Sequence, residues 1–446
     1  MSRQSKPKKH EKLTEINYRN NTESDYTETI EFLDKTFEYD AHSRDYWGQP
    51  ELSLLYGTPL YEQASSTQKL ALNHLYWATQ YNQTAATEAN AVLYNQVTAG
   101  VFGAFNGYDT LCQMLELETE QERSHIHAFH TIGYRTKRAL LGKSAFNASI
   151  LRKPGGKPKL AFNDFSNWIV VKNLVNSSLQ EEAFRFFTHK VLLRHQVHSY
   201  SQYLKELEAK GEPIPAQTTG LLGQIAPRSA LQFFTLNCGT SPFLACLFFL
   251  TRYMANMLLK NWEYRYVQFY RELNQKDCLI PAPTAVSYNH LMDESFHTTT
   301  SRLIAKDLYK DFPQPTAYEK LIANLTIYRA QTIGLSGLSG SVPATFRSDA
   351  AFILPLYRLL QSPVFDLSAQ EAQIWLQQCL CQEHEGFHLN GKYHQHLLTE
   401  LRQSFDSLDY LWPVNRELRI FTLGNNISQA IKHNRKVIEQ FSRSLS

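Results

Sequence analysis

His290-Leu-Met-Asp-Glu294-Ser-Phe-His297 decides the reading of this chain. An imidazole, a carboxylate and a second imidazole follow one another at steps of four and three. On a helix those steps place all three on one stripe. No glycine or proline interrupts residues 287–309, so a helix is expected there. A related pair, Glu122-Arg-Ser-His125, lies in a second proline-free stretch, expected to be helical over about 110–141. A third copy, Glu385-Gly-Phe-His388, shows how readily the motif arises by chance. The motif alone is therefore a weak signal.

Its partners give it weight. Two metal ions held in a helical bundle need a further carboxylate on the neighbouring antiparallel helix, at the same height. In a hairpin that carboxylate lies as far before the turn as the motif lies after it. Glu122 has Glu88, and their midpoint is Phe105, inside Gly103-Ala-Phe-Asn-Gly107. Glu294 has Glu263, and their midpoint falls at Cys278 to Leu279, just before Ile280-Pro-Ala-Pro283. Both midpoints land on helix-breaking residues. Glu385 has no such partner and is set aside as chance or as a surface motif. The candidate ligands are Glu88, Glu122, His125, Glu263, His290, Glu294 and His297. Buried carboxylates in such stripes are very costly unless something compensates them. Mixed carboxylate and imidazole donors suit two iron ions, with manganese the alternative, rather than structural zinc.

Outward from these motifs the chain reads as all-α: a ferritin-like four-helix di-metal bundle with extra helices and a large insertion. Long helices are expected from Ser66 or Thr67 to about Ala99 and from Pro242 to about Gln275. Residues 1–25 are polar and expected to form a disordered tail. Residues 26–446 are expected to be a single helical domain, with the insertion at about 143–230 and a C-terminal helical extension at about 363–446. Glu51 to Leu60 reads as a loop packed by its apolar residues. Gly334, Gly337 and Gly340 repeat a Gly-Leu-Ser unit that reads as a tight loop, since no Gly-Lys-Ser/Thr follows to make a phosphate cradle. The sequence Cys379, Cys381, His384, His388, His394, His396 matches no usual zinc spacing. His127, His130, His189, His195 and His198 receive the same bland reading.

Composition bounds the partners. Lysine plus arginine number 45 against 42 acidic residues, a formal charge of +3. No nucleic-acid partner is expected on that balance. The longest apolar run, Phe243 to Leu250, is too short to span a bilayer and reads as a buried helix. The six cysteines form no framework and the N-terminus carries no secretory pattern, so a cytoplasmic location is expected. The basic stretch Arg152 to Lys159 reads as a solvated turn, with docking of an acidic acyl carrier protein as the alternative.

The ligand pattern resembles the p-aminobenzoate N-oxygenase family of ferritin-like di-iron enzymes. It runs Glu88, Glu122/His125, Glu263, then His290-x-x-x-Glu294-x-x-His297. Leu54-Leu-Tyr-Gly-Thr-Pro-Leu60 is also similar, and the likeness covers about 34–141 and 242–360. The longer span between His125 and Glu263 and the extended C-terminus resemble the dimetal-carboxylate halogenases of the CylC type. That resemblance implies a dioxygen-activating oxidoreductase of natural-product biosynthesis. It would halogenate or hydroxylate C–H positions of an apolar or carrier-bound acyl substrate. Dioxygen would be co-substrate, with chloride if it halogenates, and an external electron donor. N-oxygenation of an arylamine and non-catalytic iron binding are the competing readings. A homodimer is compatible with all of them. Trp77, Tyr94, Phe102, Tyr253, Trp262 and Tyr266 are candidates to line an apolar tunnel, two of the six being expected to do so.

Overall fold

The computed structural model describes residues 9–24, 26–147, 186, 201–211, 228–334, 337–342 and 349–445. Every regular element among them is a helix, and the fold is all-α. Much of the expected insertion, the basic stretch 152–159 and His189, His195 and His198 lie outside the described residues.

Two long hairpins dominate. In the first, α5 (Ser66–Phe102) is followed by α6 (Asp109–Asn147). Ser65 opens α5 with a capping box: its hydroxyl accepts from Gln68 N–H, and the Gln68 side chain accepts from Ser65 N–H. Gly103 and Gly107 fall in the turn, where Gly107 adopts φ +91°. Within α6 the helical path breaks at Gly142 (φ 75°, ψ 161°). The second hairpin joins α9 (Pro242–Gln275) to α10 (Ala282–Lys306). α10 starts five residues before the expected Ser287. Pro281 caps it and Pro283 lies in its first turn, where a missing N–H costs no intrahelical bond. α5 packs on α9 and α6 on α10. By composition α9 could cross a bilayer, but 72% of its apolar stretch is buried inside the fold.

Shorter helices cover the hairpins: α1 (Lys9–Glu23), α2 (Thr27–Thr36), α3 (Tyr39–His42), α4 (Pro59–Gln63), α7 (Gln202–Ala209) and α8 (Arg228–Cys238). After α10 come α11 (Ala317–Gly334), α12 (Ile353–Leu360), α13 (Ala369–Cys381), α14 (Glu385–Phe405), α15 (Pro413–Arg416), α16 (Arg419–Leu423) and α17 (Ile427–Leu445). The expectation of a disordered tail through residue 25 is corrected by α1, which packs on α6 and α10. Its anchors are amides. Asn17 donates to the Phe296 carbonyl at 3.1 Å, and Asn21 exchanges two hydrogen bonds with Gln121 at 3.1 and 2.9 Å. A hydropathy pattern does not register such anchors.

Two large apolar clusters sit at opposite ends of the hairpins. One contains Ala85, Phe129, Trp262 and Val286; the other contains Val101, Leu115, Met257 and Ile304. On α5, α6 and α10 the stretch carrying the candidate ligands falls between members of the two clusters. On α9, Glu263 directly follows Trp262. The hairpins therefore carry a polar belt at mid-height.

The described part of the Gly-Leu-Ser segment, residues 337–342, cradles an anion. The anion is the chain's own Asp349. The carboxylate accepts from Gly340 N–H and Ser341 N–H, both at 2.9 Å, from the hydroxyls of Ser339 and Ser341, and from Asn434 of α17 at 2.6 Å. Asp349→Ala leaves these buried donors unpaired, and should lower unfolding stability by on the order of 3 kcal/mol in urea titrations.

Candidate metal centre

Each belt residue arrives on a helical stripe. α5 supplies Glu88, α6 supplies Glu118, Glu122 and His125, α9 supplies Arg252 and Glu263, and α10 supplies His290, Asp293, Glu294 and His297. None of the seven candidate ligands is more than 6% exposed. Six of them converge into two groups. Glu88, His125, His290 and Glu294 form one; Glu122, Glu294 and His297 form the other. Within each group, one donor atom from every residue lies within 4.8 Å of all the rest. Glu294 belongs to both.

Glu263 lies outside both groups. Its oxygens stand 2.8 and 3.0 Å from His290 Nδ1, and Tyr81 donates a short hydrogen bond to it. It holds an imidazole whose other nitrogen, Nε2, faces Glu88 at 3.0 Å and Glu294 at 3.8 Å. The other two imidazoles are held in the same way. His125 Nε2 meets Asp293 Oδ2 at 3.1 Å. His297 Nε2 donates to Gln121 Oε1 at 2.9 Å, and Asn21 of α1 fixes that amide. Their Nδ1 atoms face inward, and His297 Nδ1 lies 2.7 Å from Glu294 and 3.4 Å from Glu122. A carboxylate or amide behind each imidazole sets its tautomer and aims the free nitrogen.

Among the candidate ligands, three buried atoms have no hydrogen-bond partner: Glu88 Oε2, Glu122 Oε2 and His125 Nδ1. Native interiors rarely leave such atoms unpaired. They belong to residues of the two groups, and their chemistry is that of metal donors. The site therefore fits a pair of divalent cations.

The electrostatics agree. Burial pushes the Glu88 carboxyl up to about 7, against the pull of His290. Burial also raises Glu263, despite His290 and Tyr81. Glu294 is driven the other way: burial opposes its charge, but His297, His290 and Arg252 outweigh that and hold it well below the usual carboxylate range. Burial disfavours imidazolium at His290 and His297, yet the surrounding carboxylates hold both well above the ordinary histidine value. Without metal, protons on these rings balance the carboxylates, a role divalent cations would take over.

Arg252 contributes fixed positive charge. Its guanidinium meets Glu118 and Glu122 at 2.6 Å each and Asn95 at 3.1 Å. One oxygen of Glu122 is thereby committed, and the unpaired Oε2 is left for the centre.

A cavity of about 380 Å³ opens beside the belt. Glu88, Glu122 and Glu294 form part of its wall, and α5, α8, α9 and α11 enclose it. Its volume falls in the range of small-molecule sites. Of the six candidate aromatic residues, Tyr94 and Trp262 line it. Trp77, Phe102, Tyr253 and Tyr266 belong to the apolar clusters.

The family model for "Acyl halogenase CylC-like" matches residues 9–442. The chain belongs to the CylC-like acyl halogenase family. Comparisons with curated proteins and with solved structures found no match. Membership makes the chain an enzyme of the halogenase type, and the apolar, carboxylate-walled cavity is the described feature suited to an acyl chain.

Sequence reasoning passed over Glu118, Gln121, Asp293, Arg252 and Tyr81. Two of these were legible. Asp293 follows His290 by three residues, and Glu118 precedes Glu122 by four, so each extends a recognised stripe. Arg252 and Tyr81 gave no local signal, because their partners are on other helices. Several histidines set aside in the sequence have ordinary surroundings. His388 is exposed and pairs with Glu383 at 3.0 Å. His384 caps α14, accepting from Gly386 N–H. His127 is exposed and sits 2.6 Å from Asp34. None of the six cysteines is paired.

Two outcomes follow from this geometry. Asp293→Asn frees His125 to rotate, and ferrous affinity measured by anaerobic titration should fall about 10–100-fold. Metal must displace the protons on Glu88, His290 and His297. Groups with raised pKa bind those protons more firmly in the metal-free fold, so they compete with metal at low pH and compete less as pH rises. The gain in Tm on adding ferrous iron should therefore grow from pH 6 to pH 8, and a gain that shrinks over that interval would contradict the assignment.

Proposed function

We propose that the enzyme is a di-iron, dioxygen-dependent halogenase that replaces a C–H hydrogen of an apolar acyl chain with chlorine. The observation that carries this reading is the placement of Glu88, Glu122 and Glu294 on the wall of an apolar cavity, in a chain of the acyl halogenase family. In the loaded site, Glu88, His125, His290 and Glu294 would hold one ion, and Glu122, Glu294 and His297 the other, with Glu294 shared. This donor set resembles that of a ferritin-like carboxylate bundle, with His290 in the place of the single carboxylate that α9 would supply. Manganese suits the same donors. Bound iron supplies dioxygen reduction and the oxidising power that an unactivated C–H bond demands.

The protein's part is positioning and exclusion of water. Leu244, Leu247, Leu258 and Trp262 give the cavity an apolar wall against which an acyl chain can lie. Asp293, Glu263 and Gln121 keep three imidazoles aimed. Arg252 holds Glu122 to one orientation and offsets the surplus of carboxylate charge.

The chemistry must balance. Dioxygen, chloride, the substrate C–H, two electrons and three protons give the C–Cl product and two waters. An external electron donor is therefore required, and an acyl group presented on a carrier protein is a suitable substrate form.

The test begins with metal analysis after anaerobic loading. Wild-type chain should retain two irons, and Glu294→Ala should lose both because that carboxylate serves both groups. Exposure to dioxygen with chloride and a series of fatty acyl substrates should yield a product heavier by chlorine for hydrogen. A product gaining oxygen instead would replace halogenation with hydroxylation. Glu294→Ala that keeps two irons would remove the proposed centre.

A further inference from the structure

The cavity wall holds a charge that the metal centre does not use. Among the described lining residues the charged ones are Glu88, Glu122, Arg252 and Glu294 of the belt, and Arg329 of α11. α11 carries none of the belt residues. Its Ile322, Ala323 and Ile327 pack in the apolar cluster that contains Val101 and Met257. Ile322, Thr326 and Arg329 follow at steps of four and three, which is one helical face, and all three line the cavity.

An arginine at a cavity wall is in many proteins only a solvated charge. The setting of Arg329 differs. It is half-buried, and burial lowers its guanidinium from the ordinary value, so an anion brought against it is favoured. The helix that carries it is pinned on both sides. Asn324 donates to the Tyr410 carbonyl and Gln331 donates to Asn415 Oδ1, each at 3.0 Å. Tyr318, near the start of α11, donates at 2.6 Å to Asn237, which lines the same cavity. The base of the Arg329 side chain is therefore fixed. A guanidinium has five N–H donors in a planar fork, enough to keep contacts within the protein and still meet an oxyanion.

These charges give the cavity a direction. The belt carboxylates on its wall disfavour an anion beside them, and Arg329 favours one. Leu244, Leu247 and Leu258 offer hydrocarbon to the rest of the chain. An acyl compound that ends in an oxyanion then has one preferred orientation, charged end at Arg329 and chain toward the carboxylates.

We propose that Arg329 anchors the anionic end of the acyl substrate and thereby sets which carbon faces the metal centre. This rests on the acyl halogenase reading above. The anion is an oxyanion: the carboxylate of a free fatty acid, or the phosphate of a phosphopantetheine arm. The guanidinium fork matches both.

The test is calorimetric binding to the full chain without added iron, so it does not depend on the metal centre. The probes are octanoate, its neutral isostere octanamide, and octanoyl phosphopantetheine. Wild type should bind at least one anionic probe more tightly than octanamide. Arg329→Gln should weaken that anionic probe about tenfold or more and leave octanamide unchanged. Arg329→Lys, which keeps the charge, should recover part of the loss. A loss seen with octanoate assigns the site to a carboxylate, and a loss confined to the phosphopantetheine probe assigns it to a phosphate. On the iron-loaded chain, Arg329→Gln should spread chlorination over neighbouring carbons where wild type favours one. Anionic probes bound by Arg329→Gln within twofold of wild type overturn the anchor. Equal weakening of octanamide and the anionic probes overturns it too, since that marks a packing role. A wild-type chain that binds none of the three probes overturns the acyl reading of the cavity, and the anchor with it.

Discussion

The structure depends on the cost of burying charge. Five glutamates, one aspartate, three histidines and an arginine meet at mid-height of two helical hairpins, away from water. Charged groups in such a place are tolerated only when each is compensated. Arg252 compensates Glu118 and Glu122, imidazoles compensate Glu88, Glu263 and Glu294, and Asp293 faces His125. The unpaired atoms of Glu88, Glu122 and His125 mark where that compensation is incomplete, and there the site fits cations.

The apolar clusters above and below make the belt possible. The dominant favourable term in folding comes from residues such as Trp77, Tyr266, Phe102 and Phe249 rather than from the belt. They fix the spacing of four long helices, and the ligands are carried on that frame. Rigid helices hold a constellation more precisely than loops do. The cavity lies beside the belt, so a substrate chain in it would meet the carboxylate wall.

The supporting residues tie remote parts of the chain to the centre. α1 has few apolar anchors, yet its Asn21 orients Gln121, which orients His297. Tyr81 joins Glu263 to the aromatic cluster of α5. The Gly-Leu-Ser loop wraps Asp349 and through Asn434 holds α17 to the body of the fold. In each case a polar side chain fixes a neighbour, and the effect travels by hydrogen bond from one helix to the next.

Much of this was written in local spacing. A helix repeats every 3.6 residues, so Glu122 with His125, and His290 with Glu294 and His297, share a face whatever surrounds them. A hairpin is symmetric about its turn, so the sequence alone pairs Glu88 with Glu122 across Gly103 to Gly107. The same symmetry put Glu263 at the right height, but height does not fix where a carboxylate points. Only the packed structure turned Glu263 toward His290 and Tyr81 and joined Arg252 to Glu118 and Glu122. It also folded residues 9–23 onto the hairpins. Those decisions rest on contacts between helices far apart in sequence, and no periodicity along one chain segment encodes them.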